Sequence, residues 1–359
     1  MPGDDPPPPP TSPVLAGLRV PIVLAPMAGG PSTPALAAAV AGAGGLGMLA
    51  AGYLSPDRLA ADIARLRGLD DRPFAVNLFV GGEGHADPEA VDAYARQLTA
   101  RAIASGVALG EPRFDDDAFA AKLARLESER PAVVSFTFGL PAAAAVQAVH
   151  AWGGEAWMTV TSVAEARAAQ DRGADVLVVQ GVEAGGHRGV FHDQPGQSEL
   201  GLLAALQLIG AESPLPLVAA GAIMTGPALA AVLVAGAAAA QLGTAYLLSD
   251  EAGTSAAQRA ATATDTPTVL TRAFSGRTAR GIVNRWHAEL GDQAPAAYPE
   301  VHHLTAPLRA HGRASGDPDL INLWAGEAHA LARTGPAGQI TRDLWREAQG
   351  ALSRQVKMI

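Results

Sequence analysis

The chain has 359 residues, 48% of them hydrophobic, and a formal net charge of −9. This length and apolar content suit a large globular core, and the acidic balance without a basic stripe argues against a nucleic-acid partner. The absence of cysteine excludes disulfides, thiolate metal sites and a cysteine nucleophile.

The N-terminal stretch Met1–Pro13 is rich in proline and aspartate and lacks the basic and apolar pattern of a secretory signal. It predicts a disordered tail on a cytoplasmic protein. The most apolar stretch, Ala228–Leu248, is interrupted by Gln241 and Gly243. We therefore interpret it as a core helix followed by a strand, and we expect no membrane contact.

Short apolar strands and helices alternate from Val20 onward. The apolar runs predict strands at Val20–Met27, Leu46–Ala51, Phe74–Val80, Val133–Phe138, Ala156–Val160, Asp175–Gln180, Leu217–Ala220 and Ala238–Leu242. The stretches between them predict helices at Ala35–Gly42, Pro56–Arg67, Pro88–Ser105, Phe119–Ser128, Pro141–His150, Ser162–Arg172, Ser198–Ile209 and Gly226–Ala235. This alternation favours the α/β class and a closed parallel (β/α)8 TIM barrel. A doubly wound open sheet is the alternative, but the GxGxxG spacing expected after its first strand is missing.

Two regions depart from the alternation. Gly81–Arg113 is a polar insertion with a helical middle. We expect it to form a lid or cap over the site, because long insertions after barrel strands usually lie over the site. After the barrel, taken as residues 14–250, residues 251–359 predict further helices, with loop-like stretches at Ser275–Arg277 and Tyr298–Pro307. We expect this C-terminal segment to pack on the catalytic face of the barrel.

A glycine-rich turn follows the sixth strand and carries a single histidine. Gly185 and Gly186 precede His187, at the end of a strand where barrel enzymes place catalytic loops. This position favours a substrate-facing base or hydrogen-bond donor over a structural histidine. Glu183 and Arg188 are interpreted as a solvated charge pair without a chemical role. His150, His302 and His303 lack partners at metal-ligand spacing, so no metal site is expected.

Further candidate residues lie at the ends of other strands. Gly221 and Ala222 follow the seventh strand and Gly243 and Thr244 the eighth, a pair of loops that commonly binds phosphate in barrels. The backbone and amide groups suited to a flavin ring come from Ala25, Pro26, Met27, Asn77 and Gln180. The alternative interpretation of Asn77 and Gln180 is that they are core residues bonded to loop backbone.

These stretches together resemble the nitronate monooxygenase family, which comprises FMN-dependent TIM-barrel oxidoreductases. The match runs from Pro21 to about Arg333 and includes FAVNLF, VVQGVEAGGHRG, PLVAAGAI, QLGTAYLLS, AFSGRTARGIVN and YPEVHHLTAPLR. Flavin enoyl reductases carry a similar GGHxG loop but more typically a glutamate at the position of Gln180. An NAD(P)H-dependent flavin reductase acting on an enoyl thioester or quinone is therefore the alternative function. A flavin-binding protein without turnover is a third.

The resemblance implies roles for the candidate residues. His187 would be the active-site histidine that orients the nitronate, while Gly185 and Gly186 leave room beside the flavin and Ser275 approaches it from the C-terminal segment. The flavin ring would contact Ala25, Pro26, Met27, Asn77 and Gln180, and the FMN phosphate would contact Gly221, Ala222, Gly243 and Thr244. The implied reaction converts an alkyl nitronate and dioxygen into a carbonyl compound and nitrite.

One stretch departs from the family pattern. Members that use a carboxylated nitronate are expected to carry tyrosines and a lysine in the segment aligned with Tyr298–Pro307, and here no lysine is present. An alkyl nitronate with an uncharged chain, or a pathway-specific nitro compound, is therefore an alternative substrate.

Overall fold

A computed structural model describes residues 11–81, 86–194 and 197–356. Its strands are β1 Ile22–Leu24, β2 Gly47–Ala50, β3 Phe74–Phe79, β4 Val133–Thr137, β5 Glu155–Val160, β6 Val176–Gln180, β7 Gly186–His187, β8 Leu217–Ala220, β9 Ala239–Leu242, β10 Thr268–Thr271 and β11 Ala279–Ile282. Its helices are α1 Pro13–Ala16, α2 Pro34–Gly42, α3 Pro56–Leu69, α4 Pro88–Ser105, α5 Phe119–Glu129, α6 Ala143–Ala151, α7 Val163–Asp171, α8 Leu202–Gly210, α9 Gly226–Val234, α10 Ala256–Thr262, α11 Arg285–Leu290, α12 Glu300–Ser315 and α13 Ala337–Val356. Short 3-10 turns lie at Thr244–Tyr246, Pro318–Leu320 and His329–Leu331.

Eight parallel strands form the barrel, in the order β1-β9-β8-β6-β5-β4-β3-β2. The sheet closes between its two end strands, where Val23 pairs with Leu46 and the Leu24 N–H donates to the Leu46 carbonyl at 2.9 Å. Every residue of β1, β2, β3, β5, β8 and β9 is buried, as expected for strands covered by side chains inside and helices outside. The TIM barrel predicted from the apolar runs is confirmed.

The helices that follow β1, β2 and β8 each have a proline in the first turn and a residue with a side-chain hydroxyl as the N-cap. The proline is the first residue of α2 and α3 and the second residue of α9. Thr33 accepts a hydrogen bond from the Leu36 N–H, Ser55 from the Arg58 N–H, and Thr225 caps α9 in the same way. The hydroxyl of the N-cap residue accepts a hydrogen bond from an otherwise free N–H of the first turn. Proline costs no helical hydrogen bond in this turn, because the N–H groups of the first turn have no partner within the helix.

The predicted N-terminal tail is described only in part, because residues 1–10 lie outside the described residues. Within the described end of that stretch, Ser12 is buried and its hydroxyl donates to Glu155 at 2.6 Å. The ordered chain therefore includes Ser12, which caps the short helix α1.

The C-terminal segment packs on the barrel in two places. Helix α13 buries Ile340, Leu344 and Ala348 against α9 and α2. Helix α12 packs against α4 of the insertion in a second apolar cluster. Residues 82–85 of the insertion lie outside the described residues. None of the described residues of the insertion, 81 and 86–113, lines the cavity described below. Its role as a lid stays a prediction.

The sequence prediction was wrong for Tyr298–Pro307, which is not a loop. Helix α12 begins at Glu300 and continues through Pro307. Proline in a helix removes one N–H donor, and here the chain of the insertion packs against that turn: the Gly110 N–H donates to the Leu304 carbonyl at 2.9 Å. This tertiary contact packs the insertion against the turn that Pro307 interrupts. Local sequence rules cannot anticipate it.

A small antiparallel sheet of β10, β11 and β7 was also not predicted. Its strand β7 is only two residues long and contains His187. Within the described residues, no helix has both the length and the apolarity needed to cross a membrane.

Candidate active site

A cavity of about 370 Å³ lies at the carboxyl ends of the barrel strands. It is lined by strand ends and by the C-terminal segment, which covers this face of the barrel. The residues proposed from the sequence all line this cavity: Ala25, Pro26, Met27, Asn77, Gln180, Gly185, Gly186, His187, Gly221, Ala222, Gly243, Thr244 and Ser275. The structure thus brings the predicted cofactor residues and the predicted catalytic histidine to one place.

Gln180 organises the loop that carries His187. Its Oε1 accepts hydrogen bonds from the Gly189 N–H at 2.8 Å and from Arg188 at 3.0 Å, and its Nε2 donates to the His187 carbonyl at 3.1 Å. The amide is therefore largely bonded to loop backbone, as in the alternative interpretation of this residue, while its side chain still lines the cavity.

The interpretation of Glu183 and Arg188 as a solvated charge pair was wrong. Arg188 is 1% exposed and donates to the Gly181 carbonyl at 2.6 Å, which ties the beginning of the loop to its end. The Glu183 carboxylate accepts the Leu202 N–H at 3.0 Å and so caps α8, whose own N-cap glycine has no side chain. Both charges stabilise the loop because each satisfies backbone groups that would otherwise be unpaired.

The small sheet fixes the backbone of the catalytic loop. His187 pairs with Ala279 of β11, and the Arg188 N–H donates to the Thr278 carbonyl at 2.8 Å. On the other side, a Cβ at Gly185 would lie 2.5 Å from the Gly326 nitrogen. Only glycine fits at this approach of the loop to the C-terminal segment.

The His187 imidazole contacts one hydroxyl and several aromatic rings. Its Nε2 lies 2.8 Å from the Ser275 Oγ, and its ring centre lies 5.5 Å from that of Trp324 and 5.6 Å from that of Phe138. Burial, reinforced by nearby arginines, lowers the pKa of His187 to about 3. The imidazole is therefore neutral at physiological pH.

Arg309 brings a buried positive charge to the same cavity. It is 6% exposed, its Nε donates to the Thr305 Oγ1 at 3.0 Å, and its Nη2 donates to the His302 carbonyl at 2.8 Å. Among the residues that the structure describes, no carboxylate lies within ion-pair distance of this guanidinium. Burial lowers the pKa of Arg309 to about 10, which leaves it charged at neutral pH.

Two further arginines lie close by. Arg313 lines the cavity, and Arg277 is 7% exposed with its guanidinium 4.2 Å from the centre of the Phe138 ring. Burial raises the pKa of Tyr53 and of Tyr298, so neither phenol supplies a negative charge. The side of the cavity next to His187 therefore carries net positive charge.

Two amide oxygens in the cavity wall have no hydrogen-bond partner within the described ranges of the chain. Asn77 donates to the Ser135 carbonyl at 3.1 Å and to the Thr137 Oγ1 at 2.9 Å, but its Oδ1 is buried and unpartnered. The Gln241 Oε1 is likewise unpartnered, and this residue was not predicted. Buried acceptors are almost always paired, so these two point to a ligand with N–H or O–H donors.

The loops after β8 and β9 expose backbone donors to the cavity. In the described part of the chain, the N–H groups of Ala222 and Gly243 donate to no protein acceptor. Gly221 and Ala222 have φ values of 141° and 48°, and a Cβ at Gly243 would lie 3.2 Å from the Ala25 Cβ. Free N–H groups on a close-packed glycine turn suit an anionic group such as phosphate.

Aromatic side chains form the remaining wall. Tyr53 stacks on His302 with ring centres 4.2 Å apart and planes 8° apart, and it meets Phe79 edge to face at 5.4 Å. Burial, with Arg309 second, lowers the pKa of His302 well below its ordinary value, so this ring is neutral. This wall was not predicted, because Tyr53, Phe79 and His302 come from separate parts of the chain, and the stretch that contains His302 was wrongly predicted as a loop.

Comparison with known proteins bears on the whole chain. A family model described as "Nitronate monooxygenase" matches residues 12–347. A nitronate monooxygenase of Pseudomonas aeruginosa is 41% identical over 352 residues, which cover 94% of this chain and 98% of that protein. Another, from Paraburkholderia phytofirmans, is 38% identical, covering 95% of each chain.

Solved structures show the same similarity. A nitroalkane oxidase from Streptomyces ansochromogenes superposes with a TM-score of 0.93 at 46% identity, covering 96% of this chain and 100% of that one. FabK from Thermotoga maritima superposes with a TM-score of 0.77 at 24% identity, covering 96% and 97%, and this likeness concerns the fold alone.

Proposed function

Because the chain belongs to the nitronate monooxygenase family, we propose that it is an FMN-dependent enzyme that oxidises alkyl nitronates with dioxygen to carbonyl compounds and nitrite. The chain is an oxidoreductase, and its family implies a flavin cofactor and a small nitronate substrate. The observation that carries the proposal is the buried cation Arg309, without an anionic partner among the described residues, beside the neutral His187.

A buried charge without a counter-ion is costly, so it is normally paired by a ligand or by another side chain. Arg309 lines the cavity, and it lies close enough to His187 for its charge to help lower the pKa of that residue. A nitronate is an anion and supplies the missing charge, whereas an enoyl thioester or a quinone is neutral there. This difference favours the monooxygenase over the reductase alternative.

The pair of His187 and Ser275 gives the histidine a defined role. The Ser275 Oγ lies 2.8 Å from the His187 Nε2 and 3.2 Å from the Arg277 carbonyl. If the Ser275 hydroxyl donates its proton to the His187 Nε2, which is the nearer of the two atoms, then Nε2 carries no hydrogen. The hydrogen of the neutral imidazole is then on Nδ1, because a neutral imidazole has one N–H. Nδ1–H is then available to donate to a nitronate oxygen.

The low pKa of His187 also separates nitronates from nitroalkanes. A base with a pKa of about 3 is poorly matched to removing a carbon-bound proton at neutral pH. His187 therefore orients a substrate that arrives already deprotonated.

The residues present fit a flavin. We propose that its ring contacts Ala25, Pro26, Met27, Asn77 and Gln180, with Gln241 added from the structure, and that Gly185 and Gly186 leave it room. The FMN phosphate would accept from backbone N–H groups near Gly221, Ala222, Gly243 and Thr244. When bound, a flavin accepts electrons from the nitronate and passes them to dioxygen.

The test is made on purified, flavin-loaded protein. Oxygen uptake and nitrite release are measured with ethyl nitronate and with propionate 3-nitronate, each with and without NADH. We expect turnover that is independent of NADH. Flavin oxidation and reduction that require NADH would indicate the reductase, and bound FMN without oxidation of either nitronate would indicate a binding protein.

The role of His187 is tested by His187→Asn. We expect this variant to keep its flavin and to lose about 100-fold in kcat/KM. His150→Gln is the matched control, because His150 is exposed and pairs with Asp175 away from the cavity. Unchanged kinetics in His187→Asn would remove this residue from the mechanism.

A further inference from the structure

We propose that the buried ion pair of Lys122 and Asp117 is a positioning device that holds Tyr53 in the cavity wall, and that Tyr53 thereby sets the affinity for the substrate. Neither charged residue lines the cavity. The inference about affinity rests on the proposed function, whereas the inference about position does not.

The ion pair clamps both sides of one turn. The Lys122 ammonium lies 2.6 Å from the Asp117 Oδ2 and donates to the Ala51 carbonyl at 2.9 Å. The other oxygen of Asp117 accepts the Tyr53 N–H at 2.8 Å. The turn after β2 is therefore fixed on either side of Gly52 by two groups of the segment that begins α5.

The ion pair also has no surface role. Lys122 is completely buried, and removing such a charge from water is favourable only where its partners are well placed. Exposed pairs elsewhere, such as Arg167 with Glu212, have the same 2.6 Å separation but both side chains in solvent. Among the described residues, Lys122 bonds one carboxylate and one turn carbonyl. This pattern indicates that the turn itself is what the lysine holds.

The held backbone is strained. Tyr53 has a φ of 67°, and Asp117 and Ala118 have φ values of 57° and 51°, so three side-chain-bearing residues adopt left-handed conformations. Such conformations persist only where surrounding contacts impose them, and they concentrate at functional sites. Gly52 contributes to the same geometry, because a Cβ there would overlap the Phe79 ring.

The strain places the Tyr53 ring between the barrel and the C-terminal segment. The ring stacks on His302 at 4.2 Å, and the Tyr298 hydroxyl donates to the Tyr53 hydroxyl at 3.4 Å. His302 in turn lies 3.2 Å from the Arg309 guanidinium. A displaced Tyr53 would therefore disturb the side of the cavity that carries the unpaired positive charge, and the flavin loops would be unaffected.

The position is tested by hydrogen exchange followed by mass spectrometry on the holoenzyme. In Lys122→Met we expect the peptide covering residues 51–57 to exchange at least about tenfold faster, with exchange in α13 unchanged. Asp117→Asn is the second variant, since it keeps an oxygen for the Tyr53 N–H and tests the charge if the lysine variant does not fold. Arg167→Met is the control and should leave residues 51–57 protected. Wild-type protection of this peptide in both clamp variants would overturn the proposal.

The effect on substrate is tested by a double-mutant cycle with Tyr53→Ala. Lys122→Met and Tyr53→Ala should each raise KM for ethyl nitronate about tenfold, with kcat changed less than about twofold. If Lys122 acts through Tyr53, the double variant should show the KM of Tyr53→Ala alone. Independent, multiplying effects on KM would overturn the proposal. If wild type oxidises no nitronate, the proposed function fails, and the hydrogen-exchange result still decides the clamp.

Discussion

Arg309 is the residue whose chemistry most constrains the substrate. A buried guanidinium with no carboxylate partner among the described residues destabilises the empty protein and attracts an anion. Removing the charge of Arg309 should therefore weaken substrate binding without lowering the stability of the folded protein, a trade-off that is common at binding sites.

We predict that Arg309→Met raises KM for ethyl nitronate by about 10-fold to 100-fold, because a charged hydrogen bond of about 1.5–3 kcal/mol is lost. The melting temperature of the ligand-free protein should stay the same or rise. Steady-state kinetics and thermal denaturation measure the two effects. Arg346→Met, on the exposed side of α13, is the control and should change neither. A lower melting temperature with unchanged KM would show that Arg309 is structural.

The buried histidines determine how stability depends on pH. Burial lowers the pKa of His287 to about 4, below its ordinary value of 6.5. As pH falls below 6.5, the unfolded chain binds a proton at this residue and the folded chain does not, so stability is lost until about pH 4. The slope is about 1.4 kcal/mol per pH unit for one such group.

We predict that His287→Gln reduces the slope of unfolding free energy against pH between 4.5 and 6 by about 1 kcal/mol per unit, a little below the limit for one whole proton. Denaturant titrations at several pH values measure it. The remaining slope should keep the same sign, because the pKa values of His187 and His302 are lowered as well. Equal slopes in wild type and variant would show that His287 is protonated in the folded state.

The loops after β8 and β9 are proposed to hold the phosphate. A Cβ at Gly243 would lie 3.2 Å from the Ala25 Cβ and 3.4 Å from the Met27 sulfur. Gly243→Ala should therefore separate two loops that converge on the proposed flavin site, and flavin content should fall with little loss of secondary structure.

The flavin-to-protein ratio after gel filtration measures this effect. Gly68→Ala is the matched control, because nothing lies within 4 Å of a Cβ there and alanine favours a helix. Its flavin content should equal that of wild type. Full flavin retention in Gly243→Ala would place the phosphate elsewhere in the cavity.

The elements of the barrel were predictable because their signals are local. Each barrel strand is an apolar run, and proline after a hydroxyl marks the start of α2 and α3. The elements that were missed depend on distant partners. The two residues of β7 form a strand only by pairing with β11, and α12 is continuous across Pro307 while Gly110 packs against it.

The site combines residues at the ends of barrel strands, which could be predicted from the sequence, with residues that meet only in the folded molecule, which could not. The residues at the ends of barrel strands could be proposed, because parallel strands bring their carboxyl ends to one face. Arg309, His302 and Tyr53 could not, because their meeting depends on how the C-terminal segment lies over that face. The half that was predicted is the one proposed for flavin, and the half that was missed is the one proposed for substrate selection.

We propose that the substrate itself reduces the bound flavin, because the cavity offers one set of groups for a flavin and another for an anion. The most direct measurement is anaerobic mixing of the flavin-loaded protein with ethyl nitronate or with NADH, followed by the visible absorbance of the flavin. We predict that the nitronate changes the flavin spectrum and NADH does not. Rapid bleaching by NADH, with no response to the nitronate, would show that the substrate does not reduce the flavin and would indicate a flavin reductase.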